Sequence, residues 1–130
     1  MSRPWHPGER GAAPAEFALT AGLIAVLFLA ALQLGYGLHV RNTAIAHVIE
    51  GARHGARADS SPEQGAARAR ELLGTTLPGR YGTSVSAQHA VIDGVLVVEV
   101  TAEVPLPLVG PLGPPGSMTV TGHAFAEDQP

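Results

Sequence analysis

From Phe17 to Val40 the chain carries no Asp, Glu, Lys or Arg, and this run constrains everything else it can fold into. Coiled as a helix it would be about 36 Å long, at roughly 1.5 Å per residue. A bilayer core needs about 20 apolar residues, so the run is long enough to cross one. Its large apolar side chains, from Phe17 and Leu19 to Leu38 and Val40, each favour insertion by about 0.3 to 0.6 kcal/mol. Gln33 and His39 oppose this, but His39 lies at the exit end. One carboxylate, Glu16, stands at the entry edge. An acid placed there is costly near lipid and points to a function.

The rest of the chain is short. Of its 130 residues, only about 70 follow residue 60, close to the lower limit for a self-supporting core. The formal net charge is −3, and every basic residue is an arginine accompanied by acids, which gives no reason to propose nucleic acid. Without cysteine there is neither a disulfide framework nor a thiolate metal site. The apolar run exceeds the roughly 7–15 residues of a secretory signal core, and Leu34 to Val40 offer bulky residues where a signal peptidase wants small ones. Arginines flank the run on both sides, Arg3 and Arg10 before it and Arg41, Arg53 and Arg57 after it. Charge asymmetry therefore leaves orientation open.

Local signals divide the chain into a leader, 1–11, a transmembrane and juxtamembrane helix, 12–58, and a small α+β head, 59–130. Pro14 suits the first turn of a helix beginning near Ala12, where its missing N–H costs nothing. Beyond Val40 the pattern turns amphipathic, with Ile45, Val48 and Ile49 on one stripe. Asp59-Ser60-Ser61 breaks the helix. Ser61, Pro62 and Gln64 then supply a cap, a first-turn proline and a capping-box residue, predicting a second helix to Leu73 that stops at Gly74. Strands follow at 84–91, 95–104 and 118–125, the first two joined by the hairpin signal Asp93-Gly94. Residues 105–116 read as a proline-rich loop, and the tail after Ala126 as frayed. The fold class is α+β: a long amino-terminal helix, a short second helix and a three-stranded antiparallel sheet. Val95, Val97 and Leu106 with Leu72, Leu73 and Leu77 are the candidate core.

Three other features of the sequence bear on function. His47, Glu50 and His54 share a helical face and could hold a metal ion, but no fourth ligand is evident, and an ordinary solvated face with Glu50 paired to His54 is the simpler reading. Gly51 and Gly55, and Gly35 and Gly37, suit close helix packing. Ser, His and Asp residues are scattered without a nucleophile elbow, phosphate loop or paired acids, so an enzyme is not expected and no cofactor is implied. An alternative reading is a small secreted or single-pass membrane-anchored binding module.

A glycine five positions before an acid, with arginines upstream, is similar to the processing site of type IV pilin-like precursors. The chain resembles the TadE-like family of tight-adherence (Flp-type) pilus proteins. Arg10-Gly11, Ala15-Glu16-Phe17-Ala18-Leu19, His39-Val40-Arg41-Asn42, Glu50-Gly51-Ala52-Arg53 and the ending Thr119-Val120-Thr121-Gly122-His123-Ala124 carry the resemblance. It implies a membrane-inserted minor pilin or pseudopilin, cut by a prepilin peptidase between Gly11 and Ala12. Its partners would be other pilins and the assembly platform, with Glu16 and Phe17 in assembly contacts and the head outside the cytoplasm.

Overall fold

Helix α1, Ala12–Gly55, begins where Pro14 fits without loss, because the first four N–H groups of a helix have no partner inside it. The computed structural model describes residue 1 and residues 11–77, 84–106 and 116–130. The leader and the proline-rich loop expected from sequence fall largely outside those residues. Four further elements follow: α2, Pro62–Thr76; β1, Ser84–Ile92; β2, Val95–Pro105; and β3, Ser117–Phe125. The α+β class read from sequence is the observed one. The chain divides into two units, Met1–Gly35 and Tyr36–Pro130.

In the first unit the helix is exposed nearly all round. Phe17, Leu19, Leu23, Ile24 and Phe28 each show 60% or more of their surface. Such a helix is long and apolar enough to cross a membrane, and it shows the uniform apolarity that lipid tolerates and water does not.

The second unit is built on the other end of the same helix. Val40, Ala44, Val48 and Ala52 recur at four-residue steps and are fully buried, a stripe of the kind that faces a core. Ile45 and Ile49, expected on that stripe with Val48, are only half-buried. The helix ends at Gly55, three residues before the expected Ala58. Its end is held by the carboxy-terminal tail: the Glu127 N–H donates to the Ala56 carbonyl at 2.8 Å, and its carboxylate accepts from the Ala58 N–H at 2.9 Å. That tail is not frayed. The Gln129 side-chain amide accepts from the Leu96 N–H and donates to the Leu96 carbonyl, at 2.9 and 2.7 Å. It thus acts as a further residue of strand.

The second helix starts as its sequence dictates, with the Ser61 hydroxyl accepting from the Gln64 N–H and Pro62 in the first turn. It does not stop at Gly74. Two more residues of helix carry Leu77 back to a position only 4% exposed, and burial of that side chain, at about 2 kcal/mol, outweighs the glycine penalty of about 1.

The three strands lie in the order β1-β2-β3, both pairs antiparallel. Asp93 and Gly94 have φ of 52° and 79°, the left-handed turn that matches strand twist. The register opposes Val85 to Ala102 and Ala102 to Val120, which puts Val98, Val100, Ala102 and Val104 on the core face with Val85, Ala87 and Val120. This corrects the expected core. Leu73 and Leu77 are buried as expected, but Val95 and Leu72 are only half-buried and Leu106 is exposed. Val95 and Val97 point to the other face. Val97 is nonetheless 2% exposed, flanked by its cross-strand neighbours Ala90 and Phe125.

Three glycines of the helix pair decide how near its backbones come. A Cβ on Gly51 would lie 2.6 Å from the Gly65 carbonyl, and one on Gly55 would lie 2.9 Å from the Ser61 carbonyl. Gly35 and Gly37, by contrast, have nothing within 4 Å of such a Cβ. Gly51→Leu should therefore destabilise the Tyr36–Pro130 unit by about 3 kcal/mol or more through overpacking. Gly74→Ala, which meets nothing within 4 Å, should stabilise it by about 0.5–1 kcal/mol. Hydrogen-exchange protection of the β2 amides in the detergent-solubilised chain measures both.

Candidate functional site

The segment singled out by sequence opens α1. Gly11 sits in the turn just before the helix, and its carbonyl accepts from the Ala15 N–H at 3.3 Å. A Cβ on Gly11 would meet nothing within 4 Å. Packing does not call for glycine there, so the reason for it lies elsewhere than in the fold. Ala12 is the first helical residue and is exposed. Glu16 stands one turn further on, about 6 Å along the axis. It is exposed and makes no hydrogen bond or ion pair among the described residues. Phe17 beside it is 76% exposed. The four residues thus lie within seven positions at one helix start, with the acid and the ring exposed among the described residues.

The His47, Glu50 and His54 face lies elsewhere on α1, in the second unit. Glu50 and His54 line an open polar groove of 710 Å³ between α1 and α2, together with Arg57, Asp59, Arg68 and Glu71. Glu50 and His54 do not pair with each other. Arg57 instead meets Asp59 at 3.6 Å and Arg68 meets Glu71 at 2.9 Å, all well exposed, so neither pair contributes more than a fraction of a kcal/mol. No group of three His, Asp or Glu side chains among the described residues could hold a metal ion.

His47 is the exception to this solvated face. Its Nε2 is buried and has no hydrogen-bond partner, and burial holds its pKa below the ordinary imidazole value of 6.5. Its spacing from Gly51, one turn, was the only sequence hint that it would lie at the edge of the helix contact. On the outer sheet face the polar groups are satisfied across strands: Glu99 takes hydrogen bonds from His123 and Gln88 at 2.8 and 3.0 Å. These two bonds, His123 first, hold the Glu99 carboxyl below its usual range against a small opposing desolvation. Sequence reasoning passed over this ladder, although the alternation of Glu99, Thr101 and Glu103 along β2 carried its signal.

Against this geometry, a family model described as TadE-like protein matches residues 11–53. The match begins at Gly11, takes in Glu16, Phe17 and the whole apolar run, and ends two residues before α1 does. It is the family that the sequence resembles, and it suggests a tight-adherence pilus-associated protein. No curated protein and no solved structure matches the chain.

The buried imidazole makes stability depend on pH. With its folded pKa lowered, the folded state binds fewer protons than the unfolded one below about pH 6.5, so stability is complete above that value and is lost as pH falls towards the lowered folded value. The unfolding midpoint should fall between pH 7.5 and about 5.5 in the native chain. His47→Leu should flatten that limb. Loss through Glu99, whose pKa is also lowered, belongs to more acidic solution, below its ordinary 4.5. Denaturant unfolding at a series of pH values separates the two.

Proposed function

We propose that this chain is a minor pilin or pseudopilin of a tight-adherence pilus system, anchored by α1 and matured by a prepilin peptidase between Gly11 and Ala12. The observation that carries the reading is a glycine with no packing contact and a carboxylate with no partner, both among the described residues, at the edge of an exposed apolar helix. A peptidase that binds extended backbone gains from glycine before the bond, because no side chain hinders approach. Cleavage leaves an ammonium on Ala12, one helical turn from Glu16. Within one layer of subunits that ammonium neutralises the Glu16 carboxylate of a neighbour, and the pair sets axial register. A buried ion pair serves specificity more than stability, whereas an orphaned member is strongly unfavourable. The Tyr36–Pro130 unit is then the extracytoplasmic head.

The rival is a binding module released by signal peptidase. The mass of the mature amino terminus decides between them: Ala12 supports the pilin, and a terminus beyond residue 30 supports release. Gly11→Val should abolish maturation while leaving membrane insertion intact, because insertion depends on the apolar run. Normal processing of that variant by the cognate peptidase would count against the assignment. Glu16→Gln keeps the size of the side chain and the cleavage site, so it should be processed normally and yet fail to co-purify with other pilins. The expected loss is several kcal/mol per contact. Recovery of the complex at the native level would leave the carboxylate as a mere marker of the membrane boundary.

A further inference from the structure

The hairpin turn fixes which backbone groups of β1 face β2. In a two-residue hairpin the flanking residues, here Ile92 and Val95, form a hydrogen-bonded pair, and such pairs recur at every second residue. By the register, Ala90, Gln88, Ser86 and Ser84 then bond to β2, while Val85, Ala87, His89 and Val91 turn their N–H and C=O groups to the free edge. The Arg70 guanidinium donates to the Val85 carbonyl at 3.0 Å, which agrees with that phase and occupies one outward group. Among the described residues, nothing bonds to the outward groups of Ala87, His89 and Val91. Edges left this way are normally blunted by charge, proline or a bulge. β1 has no charged residue, no proline and an unbroken register, and Val91 is 68% exposed.

Charge is placed around this edge instead of on it. Arg70 marks the Val85 end. Glu63 of α2 lies within electrostatic reach of His89, and Asp93 occupies the turn beyond Val91. None of the three is in an ion pair among the described residues. The edge is thus positive at its Val85 end and negative from the His89 level to the Asp93 turn, with no charge of its own along β1 from Asp, Glu, Lys or Arg. We propose that β1 is a docking edge for an extended strand of a partner protein that runs antiparallel to it. That strand is uncharged and alternately apolar opposite Ala87–Val91, with a basic residue at the Asp93 end and an acidic one at the Arg70 end.

A second copy of β1 would match the same charges, but the path of the chain argues against it. β1 and β3 run in one direction, and α1 runs with them, since Gly122 lies against Val48 and Ile49 and Glu127 against Ala56. Antiparallel self-pairing would put the two Tyr36 ends at opposite ends of the joined sheet. Two chains anchored in one membrane do not enter that way. This exclusion rests on the anchored reading; the edge itself does not.

The test uses the full chain in detergent and a capped nonapeptide, Lys-Thr-Val-Thr-Val-Thr-Val-Thr-Glu, with its two charged ends exchanged as the comparison. Binding should slow amide exchange at Ala87, His89 and Val91, and the exchanged peptide should bind about tenfold more weakly. Arg70→Glu should narrow or invert that preference. Ala87→Pro removes an outward donor without touching a bond to β2, and should abolish binding while the sheet stays protected. Failure of the first peptide to slow those three amides overturns the docking edge, and equal binding of both peptides overturns the charge assignment. The chain has no cysteine of its own, so His89→Cys offers a further check. Disulfide-linked dimers of that variant in membranes would assign the edge to a second copy and overturn the partner strand. Dimer formation that is no greater than at an exposed Ala67→Cys control leaves the partner strand as the occupant.

Discussion

A backbone-to-backbone approach between two helices holds the Tyr36–Pro130 unit together. Gly51 and Gly55 on α1 meet Gly65 on α2 so closely that a Cβ at any of the three would fall within about 3 Å of opposing atoms. Interiors packed at crystal density transmit such a change instead of absorbing it. With the helices this near, Ala66 and Ala69 suffice to fill the space between them, and Leu73 reaches the sheet. The same logic recurs on the sheet. Gly122 of β3 takes the backbone of Val48 and Ile49 within 2.9 Å of where its Cβ would be. α1 is therefore seated through glycine on both neighbours, and a core of valines and alanines with few large side chains is enough.

The two sheet faces follow from that seating. The face turned to the helices carries Val98, Val100 and Val104, all fully buried. The opposite face pairs polar groups across strands, Gln88 with Glu99, Glu99 with His123 and Thr101 with Thr121 directly, and Glu103 with Ser117 on the diagonal. Each such pair adds a few tenths of a kcal/mol and, more to the point, leaves no unsatisfied group where the face meets water. Only at the hairpin end does this face become apolar, where Val97 sits beside Phe125 and Ile92.

What could be read from the sequence was what depends on neighbours along the chain. The first-turn proline of α1, the Ser61-Pro62 start of α2, and the Asp93-Gly94 hairpin each act within four residues, and each stands where its chemistry put it. The class of the fold followed. The buried face of β2 did not, because Val95 and Val97 open the strand in the opposite phase from Val98, Val100 and Val104. The phase is decided by Gly122 and Val120 across the ladder and by α1 above it, contacts that no window of β2 contains. The same holds for the tail. Glu127 and Gln129 look solvated in sequence, yet both find backbone groups left open by α1 and β2. Of the candidate site, the residues themselves were legible and their exposure was observed. The pairing of the glycines in α1 with Gly65 needed the fold to separate Gly51 and Gly55 from the open Gly35 and Gly37.

One helix thus carries two patterns, the first apolar enough for a membrane and the second fitted to a folded core. Before Gly35 its large apolar side chains are exposed all round among the described residues, and a Cβ on Gly22 or Gly35 would meet nothing described within 4 Å. From Val40 the four-residue stripe begins, and the helix becomes the central element of a folded unit. A released module would discard the first part and would have no use for an acid placed ahead of it. An anchored one must bury Phe17 and the large side chains after it in lipid or against like helices, and then the depth of Glu16 matters. A lone carboxylate at that boundary is tolerable only where water, a headgroup or an opposite charge reaches it. The ammonium that the proposed cleavage would leave one turn earlier is such a charge. On this argument the glycine, the acid and the apolar run are parts of a single device, and the head is carried by it.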